Sequence, residues 1–155
     1  MLESLNDANE ELKRVDHLIY VSLKYTRTVD VLLNVINRMI DAYDFIIEAL
    51  LKYAIEKNLI LEAPDSPRER GDLIKKTFDD ELIRDNIDLY FLLRKLHKSN
   101  PAKENEYRRN VGMISYVDNR KEIVNIDIIT QYYAFQRSFV DYVRSLLMGK
   151  NGEDN

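Results

Sequence analysis

TVDVLLNVINRMIDAYDFIIEALLKYAIEKN, residues 28–58, decides the fold. It contains neither Pro nor Gly. Apolar side chains recur at Leu32, Val35, Ile36, Met39, Tyr43, Ile46, Ile47, Leu50, Leu51 and Ala54, the three- and four-residue spacing of one helix face. At about 1.5 Å per residue such a helix is roughly 45 Å long, enough to run the length of a small domain. The other helices are expected to pack on it.

The chain has 155 residues, which suits one domain with one core, expected over residues 1–148 with a disordered tail over 149–155. Apolar residues make up 45% and charged residues 32%, with a net charge of -4, so any basic patch has to be local. Without cysteine there is no disulfide, thiolate zinc site or thiol nucleophile. Two histidines, His17 and His97, are too few for a multi-histidine metal site in one chain. The acidic, polar start MLESLNDANEELKR does not resemble a secretory or transit peptide, and charges interrupt every apolar run before the ~20 residues of a membrane span. A cytoplasmic protein with no membrane partner is expected. Few Gly, no Cys and many Ile, Lys, Glu, Arg and Tyr give a thermophile-like composition.

Outward from the central stretch, residues 1–8 are expected to fray. A helix is expected from Glu10 to about Tyr25, with Leu12, Val15, Leu18, Ile19 and Val21 on its core side. Thr26, Arg27 and Thr28 are a candidate break, a continuous helix being the alternative, with Thr28 able to cap the next helix and Asp30 in its first turn. After the central helix, Ser66-Pro67-Arg68-Glu69 predicts a helix start with a capping box, and Gly71 keeps that helix short, ending near Thr77. Asp79 or Asp80 caps a fourth helix, DELIRDNIDLYFLLRKLHKS, stopped by Asn100-Pro101. Residues 102–110, AKENEYRRN, suit one or two further helical turns. VGMISYVDNRKEIVNID, residues 111–127, is rich in Val and Ile around a turn-like Asp118-Asn119-Arg120 and predicts a small hairpin. A final amphipathic helix starts with Asp127 as cap. The fold class is therefore all-α: an up-and-down bundle of four to five helices with one small hairpin near 111–127.

Four constellations carry possible chemistry. Asp41, Asp44 and Glu48 share one helix face, and Glu81, Asp85 and Asp88 share another. Together they are the alternative Mg²⁺ site of an all-helical nucleotide pyrophosphohydrolase. Each set, however, lies roughly opposite its own helix's apolar stripe and is expected to face water. His97 follows Leu93 by one turn, with Arg94 beside it, and a guanidinium next to an imidazole can hold a phosphate. Arg94, Lys95, Lys98, Lys103, Arg108 and Arg109 fall within sixteen residues, with Tyr107 among them. A bend at Pro101 could bring these onto one nucleic-acid or nucleotide-phosphate patch, with Arg94, His97, Tyr107, Arg108, Arg109 and Asn110 as candidate residues; the rival reading is an exposed loop that neutralises the acidic faces of the same bundle or of a partner subunit. Last, Tyr132, Tyr133, Phe135, Phe139 and Tyr142 crowd the final helix and suit a core face or a dimer seam. His17 receives no role.

The order of a bundle, a Ser-Pro helix start, DDELIRDNIDLYFLLRK, EYRRNVGMISYVDNRKEIVNID and a long amphipathic helix resembles the HEPN superfamily, small helical proteins often found in toxin–antitoxin and RNA-cleaving systems. Arg109-Asn110 resembles the Arg-polar start of that family's motif. Active members carry a His a few residues beyond, where this chain has Ile114, Ser115 and Tyr116. Arg94 and His97, the other Arg-to-His pair, are separated by two residues only. Over residues 28–147 the resemblance implies the fold, a homodimer with a basic cleft, and no established catalysis, since Ser and Tyr are poor proton carriers near neutral pH without an activating base. The function expected is a non-catalytic interaction module that binds nucleic acid, a nucleotide phosphate or a partner protein. The alternative is an enzyme, a residual ribonuclease using Arg109 and His97 or the Mg²⁺-dependent hydrolase.

Overall fold

A computed structural model of the chain describes residues 1–149. Apart from Gly149, the expected tail lies outside them. Helix α1 (Leu2–His17) runs through a π-helical turn (Leu18–Ser22) into one more turn, α2 (Leu23–Tyr25), as one rod. This corrects the expected start at Glu10. Leu5, Ala8, Leu12, Val15, Ile19 and Leu23 are all buried, so the core stripe reaches the first turn. Asn6, Asp7 and Glu10, which made the start look frayed, are its exposed side. Ser4 is buried too, and its hydroxyl donates to Glu48 Oε2 at 3.1 Å.

The rod ends where Thr26 leaves helical geometry, and Thr28 Oγ1 accepts from the amide of Val31 at 3.3 Å to start α3 (Val29–Glu56). All ten residues of the expected stripe are buried, and Val29, Ile40, Ala42 and Ala49 join them. At about 1.5–3 kcal/mol for each large aliphatic or aromatic side chain buried, this helix is the main source of stability. Helices from both ends of the chain enclose it. The chain leaves it through Asn58, which takes the left-handed conformation at φ 60° while the Leu59 amide donates back to the Ala54 carbonyl at 2.8 Å.

Helix α4 (Pro67–Thr77) begins as expected: Ser66 Oγ accepts from the Glu69 amide at 3.2 Å and donates to Glu69 Oε1 at 3.0 Å. Gly71 lets α4 press against α5 (Glu81–Lys98), for a Cβ there would lie 2.6 Å from the Phe91 ring. Asp80 caps α5, with Oδ1 accepting from the Ile83 amide at 3.0 Å, and its Oδ2 accepts from the Tyr142 hydroxyl.

The hairpin is present but has a third strand. The antiparallel order is β1 (Ala102–Glu104), β2 (Gly112–Val117), β3 (Arg120–Asn125), with Ile114 facing both Ala102 and Ile123. The helical turns expected over 102–110 are therefore not formed. Pro101 and the left-handed Asn105 (φ 54°) and Tyr107 (φ 68°) turn this stretch back along β2 instead. Asp118 (φ 52°) and Asn119 (φ 64°) make the two-residue left-handed turn that suits a hairpin. Met113, Val117 and Val124 face the bundle, whereas Tyr116 and Ile123 face outward.

Helix α6 (Ile126–Arg144) is capped two positions earlier than expected. Asn125 Oδ1 accepts from the Ile128 amide at 2.8 Å, and Asp127 sits in the first turn instead. A π-helical turn (Ser145–Gly149) ends it. Counting α1–α2 as one rod, five helices and a small sheet enclose a single core in which Tyr43, Tyr90 and Phe139 are fully buried. Two buried amides cross that core. Asn86 Oδ1 accepts from the Tyr43 hydroxyl at 2.6 Å while Nδ2 donates to the Leu82 carbonyl. Gln136 Nε2 donates to the Met39 carbonyl at 2.8 Å, leaving its Oε1 without a partner among the described residues.

Candidate phosphate-binding groove

The last two turns of α5 carry Arg94, Lys95, His97 and Lys98 because the apolar pattern narrows there to Leu93 and Leu96. Cations at a helix C-terminus also match the macrodipole. Three elements meet around this end. Helix α4 crosses α5 at Gly71 and brings Arg68 and Lys75. The hairpin docks from the other side, where the hydroxyls of Ser99 and Ser115 meet at 2.8 Å, and brings Arg120.

The result is a groove of about 410 Å³ between α4, α5 and the hairpin tip, continued by a recess of about 150 Å³ at Arg94 and Lys98. Its walls carry six cationic side chains (Arg68, Lys75, Arg94, Lys95, Lys98 and Arg120) against three carboxylates (Asp88, Asp118 and Glu122), an excess of three positive charges. Three of the cations are held internally: Arg68 Nε at 3.2 Å from Asp72, Lys75 at 2.6 Å from Asp88, and Lys95 at 2.5 Å from Asp118. Arg94, Lys98 and Arg120 make no ion pair among the described residues. The Arg68 guanidinium covers the Phe91 ring of the groove at 4.3 Å, and Arg94 lies 5.6 Å from the ring centre of the buried Tyr90.

The opposite side of Arg94 faces α3. The Tyr90 hydroxyl donates to Asp44 Oδ1 at 2.5 Å; burial and then that carboxylate push the phenol well above its usual range, with Arg94 acting against them. Asp41, one turn away, is half-buried. Its carboxyl is held up by burial and by Asp44, and drawn down by Arg38 and by His97 across the α3–α5 seam.

The sequence-derived site is thus divided. Arg94 and His97 sit together at the end of α5. Tyr107, Arg108, Arg109 and Asn110 belong to the loop after β1, which is tied to the start of α3: the Tyr107 amide donates to the Arg27 carbonyl at 2.6 Å, and Glu106 Oε2 accepts from the Val29 amide at 3.0 Å. Val29 and Asp41 are about 18 Å apart along α3, so the bend at Pro101 leaves two groups rather than one patch. The two acidic sets do not meet either. Asp44 and Glu48 accept from Tyr90 and Ser4, Asp88 pairs with Lys75, and Glu81 and Asp85 are exposed. Among the described residues no group of three His, Asp or Glu side chains is arranged to hold a metal.

His17, given no role from sequence, lines a cavity of about 870 Å³ between α1 and α6. Asp16 there accepts from the Tyr133 hydroxyl at 2.9 Å and lies 3.8 Å from Arg137. Only Asp16 beside His17 hinted at it, because the two walls are over a hundred residues apart in sequence. Its Lys13 and Arg137 are offset by Glu10, Asp16 and Asp141, so it has no anion-attracting excess.

Comparison with family models, with curated proteins and with solved structures gives no match for this chain.

Proposed function

We propose that this chain is a non-catalytic helical interaction module that binds the phosphates of a nucleic acid or nucleotide in the groove between α4, α5 and the hairpin. The observation that carries it is the local excess of positive charge, with Arg94, Lys98 and Arg120 free of ion pairs among the described residues, in a chain of net charge -4. Phosphate binding driven by charge is weakened by salt, by a slope of about 0.7 per phosphate on a single strand. The test is fluorescence anisotropy of labelled RNA and DNA strands across a salt series. Arg94→Ala with Lys98→Ala should weaken binding and flatten the slope. Absence of binding by the native chain at low salt ends the proposal. The HEPN-like relationship, a homodimer and a cytoplasmic setting belong to the same proposal. Light scattering tests the homodimer.

One observation favours an enzyme as the second reading. Asp41, whose carboxyl is held up by burial and by Asp44, lies within electrostatic reach of His97, the neighbour of Arg94 on α5, and a carboxyl and an imidazole are the groups proton transfer would need. RNA cleavage lost in His97→Ala would support it; cleavage that survives would remove it.

A further inference from the structure

The groove contains its own anion. Asp118 stands at the first left-handed position of the hairpin turn, and the strand pair Val117↔Arg120 closes behind it. Val117 is buried against the bundle, and the Ser99–Ser115 contact ties β2 to the end of α5. These contacts seat the base of the turn against α5, and the Asp118 carboxylate lies 2.5 Å from the Lys95 ammonium. Both side chains are accessible, 41% for Lys95 and 67% for Asp118, so an arriving anion can compete for the ammonium. Lys75 is occupied by Asp88 in the same manner. Arg94 and Lys98 stand one helical turn apart, an axial step of about 6 Å, without such a partner.

We propose that Asp118 is a tethered competitor for this groove that sets its ligand as a nucleic-acid strand rather than a mononucleotide. This rests on the phosphate-binding proposal above. A mononucleotide bound on Arg94 and Lys98 has no second phosphate tethered near Lys95, so only dilute free anion competes there with the Asp118 carboxylate. A strand anchored on Arg94, Lys98 and Arg120 holds its next phosphate near Lys95 at an effective concentration of about millimolar, which is what exchanging one anion for another requires. No bond is made or broken in the exchange; the carboxylate returns to water as the phosphodiester takes the ammonium.

The test measures binding of a fluorescent oligouridylate to the full-length chain at low salt, with uridine monophosphate as competitor. Asp118→Asn should tighten strand binding about two- to fivefold, the range for an exposed ion pair. Asp7→Asn makes the same charge change on an exposed position of α1, which does not border the groove, and should leave binding unchanged. In a Lys95→Ala background the gain from Asp118→Asn should vanish, which a general charge effect would not produce. On the native chain, uridine monophosphate at the same nucleotide concentration should fail to displace the strand. Displacement by it, an equal gain from Asp7→Asn, a gain that persists without Lys95, or no gain at all overturns the competitor role while leaving phosphate binding intact. If neither the native chain nor Asp118→Asn binds the strand at low salt, the phosphate-binding proposal itself fails.

Discussion

Tyr43→Phe isolates the polar contact that registers α5 on α3. Both Tyr43 and Asn86 are 0% exposed, and their hydrogen bond of 2.6 Å joins the middle of α3 to the second turn of α5. Phe keeps the ring, so the edge contact with Tyr90 at 5.8 Å and the tilted contact with Phe139 at 6.3 Å survive. What is lost is a donor, and the buried Asn86 Oδ1 is then left without its hydrogen-bond partner. Leaving a buried acceptor unsatisfied costs about 1–3 kcal/mol. For a chain of this size about 2 kcal/mol lowers Tm by about 4–8 °C. Urea unfolding followed by circular dichroism should show the midpoint falling with an unchanged slope, since the area exposed on unfolding is the same. Adding Asn86→Leu removes the orphaned acceptor, so the double variant should be more stable than Tyr43→Phe alone. A loss for Tyr43→Phe below about 0.5 kcal/mol would refute the reasoning, because it would mean that this acceptor is not sealed from solvent.

Two further outcomes are expected. Gln136→Met deletes a buried oxygen that has no partner at the cost of one bond to the Met39 carbonyl, so thermal melting should show no loss of stability; a fall of more than about 2 kcal/mol would show that the amide is satisfied. Alkali should destabilise the fold in a defined window. Burial raises Tyr43, Tyr90 and Tyr132, the bond to Asp80 raises Tyr142, and burial with Asp16 pushes Tyr133 up to about 12. Folded-state values above the unfolded ~10 mean that the unfolded chain releases these protons first. The stability they carry is complete below about pH 10 and declines as pH rises towards 12, so a urea midpoint that stays flat across that range would contradict the assignment.

The central helix was legible because its signal is one-dimensional. Fourteen residues of α3 are buried, and the ten expected from spacing alone are among them. Caps were legible where a side chain and its amide lie three residues apart, as at Thr28, Ser66 and Asp80. Asn125 escaped notice because Asp127, equally suited, stands two positions later. The early start of α1 was hidden by polar residues that face solvent next to a buried Ser4, whose partner Glu48 is 44 positions away. The strand at 102–104 was hidden for a related reason: three exposed residues have no pattern of their own and become a strand only because β2 lies beside them. Of the candidate site, Arg94, Lys95 and Lys98 were visible as a cluster on one helix end. Arg68, Lys75 and Arg120 come from two other elements, and nothing local in the sequence announces that they meet.

The close approach of α4 to α5 couples the backbone of one to the open space of the other. Gly71 leaves no gap beneath Phe91, and Phe91 in turn forms the groove floor under Arg68. A single methyl group at position 71 would stand 2.6 Å from that ring and 3.2 Å from Ile87, so Phe91, which borders the channel a strand would follow, has to shift. The position therefore acts like a valve seat, where the smallest possible increment in side-chain volume is converted into an obstruction several ångströms away, without touching any charge that the ligand would meet.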